Sequence, residues 1–154
     1  MPTNYSQARD VMFSLINAAL KSDVNAVLGY IPQVYWPLQA EPKKPDATKL
    51  WLRVSTQNVI EGQSTLSTCE GAPGQKQYET AGLLFIELYW PKSGSVNSTK
   101  AEQTAAVLRN VFRNAAMGSD GIRYYRARIL DGIPPEELYY RLNVVTEYEY
   151  DENM

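Results

Sequence analysis

The stretch YETAGLLFIELYW, residues 78–90, constrains the fold more than any other part of the chain. Read with the period of two that a strand imposes, Leu84, Ile86, Leu88 and Trp90 point to one side, and Leu83, Phe85 and Tyr89 to the other. A strand that is largely apolar on both sides needs shielding on both, which predicts a central place in a sheet. Pro91 has no N–H to donate and ends the ladder.

A partner strand precedes it. In LWLRVSTQNVIEG, residues 50–62, Leu50, Leu52, Val54 and Ile60 share one face, and Trp51, Arg53, Ser55, Gln57 and Glu61 share the other, the pattern of a half-buried strand. The polar, glycine-bearing QSTLSTCEGAPGQKQ, residues 63–77, joins the two as a long hairpin with a mobile tip. GIRYYRARIL and LYYRLNVVTEYEY give two more strands around the turn DGIPPEE, residues 131–137. In the last strand Leu138, Tyr140, Leu142, Val144, Tyr148 and Tyr150 are expected on the buried face.

Two helices complete the pattern. Asn4 and Gln7 have capping-box spacing ahead of Tyr5, Ala8, Met12, Leu15, Ile16 and Ala19, which predicts a helix over about 4–21. Thr99 and Glu102 repeat that spacing ahead of Ala101, Ala105, Leu108, Phe112 and Ala115, with Gly118 as the C-terminal cap. Residues 31–48 read as a Pro-rich connector in which QVYW is a short edge strand. The order predicts one α+β domain over 1–154: a mainly antiparallel β-sheet with two α-helices packed on one face.

The chemistry is sparse. The sequence has no His and one cysteine, Cys69, so the commonest metal ligand and general base are missing and no internal disulfide can form. SGSVNSTKA, residues 93–101, has the spacing of a phosphate loop from Gly94 to Lys100, but Thr99 stands where that loop needs its second Gly, and Ala101 where it needs a hydroxyl. This predicts a capped turn, with Lys100 as a surface charge. No Gly-x-Ser-x-Gly or zinc pattern occurs, and Glu136–Glu137 and Glu147/Glu149 read as solvated surface. Neither catalytic nor cofactor-binding nor metal residues are expected.

Nucleic acid has one candidate motif, RYYRAR, in which Arg123, Arg126 and Arg128 alternate with tyrosines. The competing expectation is that these arginines meet the acidic TEYEYDE segment on the neighbouring strand. A net charge of −2 with no long basic block argues against a dedicated binder. The start of the chain lacks a basic region followed by an apolar core, and no apolar run near bilayer length stands out, which predicts a soluble, cytosolic protein.

Three stretches together, LWLRVSTQNVIEGQSTL, then YETAGLLFIELYWPKSGS running into AEQTAAVLRNVFRN, then IRYYRARILDGIPPEELYYRLNVVTEYEYDE, resemble the tail terminator, or tail completion, proteins of long-tailed bacteriophages of the lambda type. The likeness covers residues 48–152 and lies in the order of elements, the strand–Pro–Gly turn–helix unit and the aromatic, acidic last strand. It implies an α+β subunit that assembles with itself into a ring, usually a homohexamer, without catalysis. The ring caps the tail tube built by the major tail tube protein, ends its polymerisation and presents a surface to the head–tail connector protein. Duplex DNA passes through it without specific binding. The location implied is the head-proximal end of the virion tail, with assembly in the host cytoplasm.

Under that reading the exposed connections and the polar strand face become candidate contacts with a neighbouring subunit or the tube: Arg53, Gln57, Thr68, Gly71, Gln75, Pro134 and Glu136. A head–tail joining or neck protein of the same virion is the nearest alternative, and a small nucleic-acid-binding module a more distant one. A nucleotide-dependent enzyme would raise its melting temperature on addition of ATP and magnesium. No such shift is expected here, and one above the scatter of a thermal-shift assay would reopen the phosphate-loop reading.

Overall fold

The computed structural model describes residues 4–37, 48–67, 75–92, 97–115, 121–131, 134 and 138–153. Helix α1 (Tyr5–Ala19) opens on the expected capping box: the Gln7 N–H donates to Asn4 Oδ1 at 2.8 Å, and the Asn4 N–H to Gln7 Oε1 at 3.4 Å. It does not end near residue 21. A π-helical turn, Leu20–Val24, in which the Asn25 N–H reaches back to Leu20 O, carries it into helix α2 (Asn25–Leu28). Ile16, Leu20, Val24 and Leu28 extend the buried stripe at four-residue intervals, and that continuous apolar face keeps the chain helical. Gly29, at φ +81°, closes the helix by donating to Asn25 O at 2.8 Å, in a backbone region that penalises a Cβ.

The helical run Tyr5–Leu28 spans 24 residues, and an 18-residue window within it has a mean hydropathy of 1.3, long and apolar enough to cross a membrane by length and composition. That corrects the expectation that no apolar run approaches this length. Ala8, Met12, Ile16 and Ala19 are buried in the core of this fold, whereas Tyr5 is exposed and Leu15 half-buried, against their expected places in the stripe.

Five strands form one sheet: β1 (Gln33–Tyr35), β2 (Trp51–Ser67), β3 (Gln75–Pro91), β4 (Arg123–Leu130) and β5 (Tyr139–Asn153). Their order is β1-β2-β3-β5-β4, with β1 parallel to β2 and every other pair antiparallel. β3 is central, as its two apolar faces predict, and β1 is the short edge strand expected from QVYW. β3 and β4 run the same way with β5 between them, so the chain needs a crossover, which helix α3 (Ser98–Asn114) supplies.

α3 is capped by Asn97, whose side chain accepts from the Lys100 N–H at 2.9 Å, and not by Thr99. Asn at an extended backbone position is as good a cap as Thr, and here it starts the helix two residues earlier. Lys100 is exposed on the first turn. The helix closes at Ala115, and the predicted cap Gly118 lies outside the described residues.

Both helical layers pack on one sheet face. Ala101, Ala105, Leu108 and Phe112 of α3 join Met12, Ile16 and Leu20 in a single core with Leu52, Val54, Leu84, Ile86, Leu88, Trp90 and Val144. Each such large side chain, fully buried, contributes about 1.5–3 kcal/mol. Leu138 and Tyr140, expected inside, are exposed because β5 begins at the sheet's rim.

Strand phase changes twice within the β2–β3 hairpin, and the first change decides which residues enter the core. β2 and β3 pair from Trp51↔Tyr89 to Asn58↔Gly82, and then Ile60 faces Ala81, so Val59 is an extra residue in a β-bulge. The one-residue slip turns Ile60 to the opposite face, where it is 62% exposed, although simple alternation places it in the core. Beside the bulge the Tyr148 hydroxyl donates to Asn58 Oδ1, and its ring crosses directly over Gly82. A Cβ at Gly82 would lie 2.6 Å from that hydroxyl oxygen and collide with the Gln57 carbonyl. Burial above all raises the Tyr148 pKa far beyond the ordinary phenol range, so it stays a donor at any physiological pH.

Gly82→Ala is therefore expected to lower stability by about 1–3 kcal/mol through overpacking. Denaturant titration measures this, and an unchanged midpoint would show that the ring of Tyr148 is not seated against residue 82.

Candidate subunit interface

The second sheet face carries no helix among the described residues. Its rungs follow from the register: Trp51–Tyr89–Arg141, Arg53–Glu87–Asn143–Leu130, Ser55–Phe85–Val145–Arg128 and Gln57–Leu83–Glu147–Tyr125. The face thus has an aromatic end, a semi-apolar middle and a charged end.

At the aromatic end a second, smaller core forms, with no layer above it among the described residues. Trp51 stacks on Tyr89 at 4.3 Å between ring centroids, and Tyr35 and Tyr139 meet Trp51 edge-on at 5.3 and 5.7 Å. Such pairs add about 0.5–1.5 kcal/mol each beyond the area they bury. Arg53 and Arg141 cap the cluster, their guanidinium carbons 5.7 Å from the Trp51 ring and 5.6 Å from the Tyr89 ring. Arg141 also donates to Glu87 at 3.0 Å, and the Tyr89 hydroxyl donates to the same carboxylate at 2.8 Å. Alternation alone predicts Trp51 on a polar face. Its cross-strand partner Tyr89 and the edge-on ring of Tyr35, which pairs with Arg53, bury it, and aromatic residues near one end of neighbouring strands were the available signal.

At the charged end the arginines of RYYRAR meet the acidic last strand. Arg123 lies 2.6 Å from Glu149 and 3.5 Å from Asp151, and Arg126 and Arg128 lie 3.4 and 3.5 Å from Glu147. A bulge between Tyr125 and Arg128 puts Arg126 at φ +51°, in the left-handed region, with its side chain 79% exposed. The nearby Glu149 carboxylate, more than burial, raises the pKa of Glu79.

The expected contact residues do not form one patch. Arg53 and Gln57 are exposed two rungs apart on the bare face. Gln75 begins β3, paired with Ser67, so the predicted loop is shorter than 63–77, and its outer residues are ladder. Pro134 is exposed in the β4–β5 connection, at the sheet end opposite Gln75. Thr68, Gly71 and Glu136, like Cys69, lie outside the described residues. Among the described residues no group of three or more His, Cys, Asp or Glu side chains is placed to hold a metal.

No family model matches the chain, and no curated protein is similar to it. One solved structure, of a protein known only by a serial designation, aligns with a TM-score of 0.56 at 21% identity, over 92% of this chain and 94% of that one. At that identity the likeness speaks for the α+β fold alone.

The Glu79 shift has a signed consequence. Its carboxylate is harder to ionise in the folded chain than in the unfolded one, so it lowers stability at neutral pH, and the penalty disappears as pH falls through the folded and then the unfolded value. Glu79→Gln should stabilise the protein at pH 7 by less than about 1 kcal/mol, because the site is solvent-screened. The gain should shrink towards zero near pH 3; a gain that persists there would locate its cause elsewhere.

Proposed function

We propose that this chain is a ring-forming structural subunit at the head-proximal end of a phage tail, which caps the tail tube, ends its polymerisation and receives the head connector. The observation that carries the reading is the asymmetry of the sheet. One face is covered by helices, the other carries no helix among the described residues and is partly apolar, and the two lateral edges differ. A subunit with unlike complementary sides assembles head to tail, and closes into a ring when the rotation per copy permits it. The chain's likeness in element order to tail terminators supplies the biological setting.

Charge supports passage of DNA without grip. Six copies at −2 each carry −12, and the RYYRAR guanidiniums are each within 4 Å of a carboxylate of β5. Duplex DNA would meet a channel with little counterion-releasing surface. A neck protein would share this logic, and binding to tubes rather than to connectors separates the two.

Electron microscopy of the purified protein mixed with tail tubes tests the reading. Rings seated on one end of each tube, and tubes that stop growing once capped, are the expected result. Particles that ignore tubes would reject it, as would nanomolar affinity for duplex DNA at physiological salt.

A further inference from the structure

The two lateral edges of the sheet are chemically unlike. β1 covers β2 only from Trp51 to Arg53, and past that point no described strand pairs with the outer edge of β2. From Val54 to Ser67 this strand contains one charge, Glu61, and neither Lys, Arg nor Pro, the residues with which edge strands ordinarily block pairing. Val59 and Ile60, 60% and 62% exposed, stand at its bulge. The opposite edge is β4, which holds three arginines and no acid, with Tyr125 and Leu130 exposed. Half of the large exposed hydrophobic side chains among the described residues thus lie on these two strands.

We propose that neighbouring copies of this chain join by strand addition, the outer edge of β2 between Val54 and Ile60 of one copy pairing with the outer edge of β4 of the next. Main-chain hydrogen bonds extend the sheet across the junction, and the apolar pairs Val59/Ile60 and Tyr125/Leu130 supply the side-chain contact. Charge disfavours the pairing of like β4 edges. Two β4 edges would bring together two copies of Arg126, the β4 guanidinium most exposed to solvent, whereas β2 between Val54 and Ile60 carries no charge to oppose it. The bulges at Asn58/Ile60, Gln63/Thr65 and Tyr125/Arg128 keep the ladder short, which limits it to a matched partner and discourages open-ended stacking. Arg126, swung outward at positive φ, is the guanidinium of β4 most open to a neighbour.

This inference rests on the ring reading, because it specifies the contact by which such a ring closes. Amide-resolved hydrogen exchange, on the wild-type protein dispersed and then assembled on tail tubes, tests it directly. Exchange at alternate amides within 54–60 and 123–130 should slow at least about tenfold on assembly. A Val59→Lys/Ile60→Lys variant, both side chains already in solvent, should keep its fold and lose assembly. Rings that form while both edges exchange at the dispersed rate would overturn strand addition and leave the ring reading intact. Slowing on β2 alone, in a two-fold dimer, would overturn the choice of β4. Absence of assembly under every condition, tubes included, would overturn the ring reading and this contact with it. The wild-type comparison decides the matter even if the double variant unfolds.

Discussion

Strand β3 is the element on which the rest of the structure depends. It is hydrogen-bonded on both sides, to β2 along one edge and to β5 along the other, and its side chains serve two cores. Leu84, Ile86, Leu88 and Trp90 lie under the helices, while Tyr89 stacks with Trp51 on the bare face. Gly82 marks the place where three strands lock. The Tyr148 ring passes over it from β5 to reach Asn58 of β2, beside the bulge that resets the strand phase. A register fixed there sets which residues of the long hairpin face inward.

Much of this was legible in the residue order. Two-sided apolarity put β3 in the centre, spacing found the first capping box, and opposite charges anticipated the contact of RYYRAR with the last strand. The failures share a physical cause: local pattern loses to a non-local partner. Ile60 leaves the core because Val59 is an extra residue relative to β3, which no reading of β2 by itself reveals. Trp51 is buried because Tyr35, Tyr89 and Tyr139 surround it from three other strands. Asn97 displaced Thr99 as a cap because two acceptable caps stood two residues apart, and residue spacing by itself does not rank them.

The candidate site was less legible than the fold. Reading exposed loops as contacts follows a general tendency of loops to carry function, and it brought Arg53 and Gln57 to one face but left Gln75 and Pro134 at opposite ends. What the sequence alone does not reveal is which strand edges have no strand partner among the described residues, since this depends on β1 stopping after three residues and β4 lying outside β5. Those two facts make the sheet polar in the lateral sense, and they turn an ordinary α+β layer into a unit with two unlike sides.

The central claim is that this chain assembles head to tail into a closed ring of fixed size. Native mass spectrometry of the protein, alone and after release from tail tubes, measures this most directly. The account predicts a single closed stoichiometry in the tube-derived sample, with no even-numbered series built from two-fold dimers. A monomer in both samples, or a continuous ladder of masses, would contradict it.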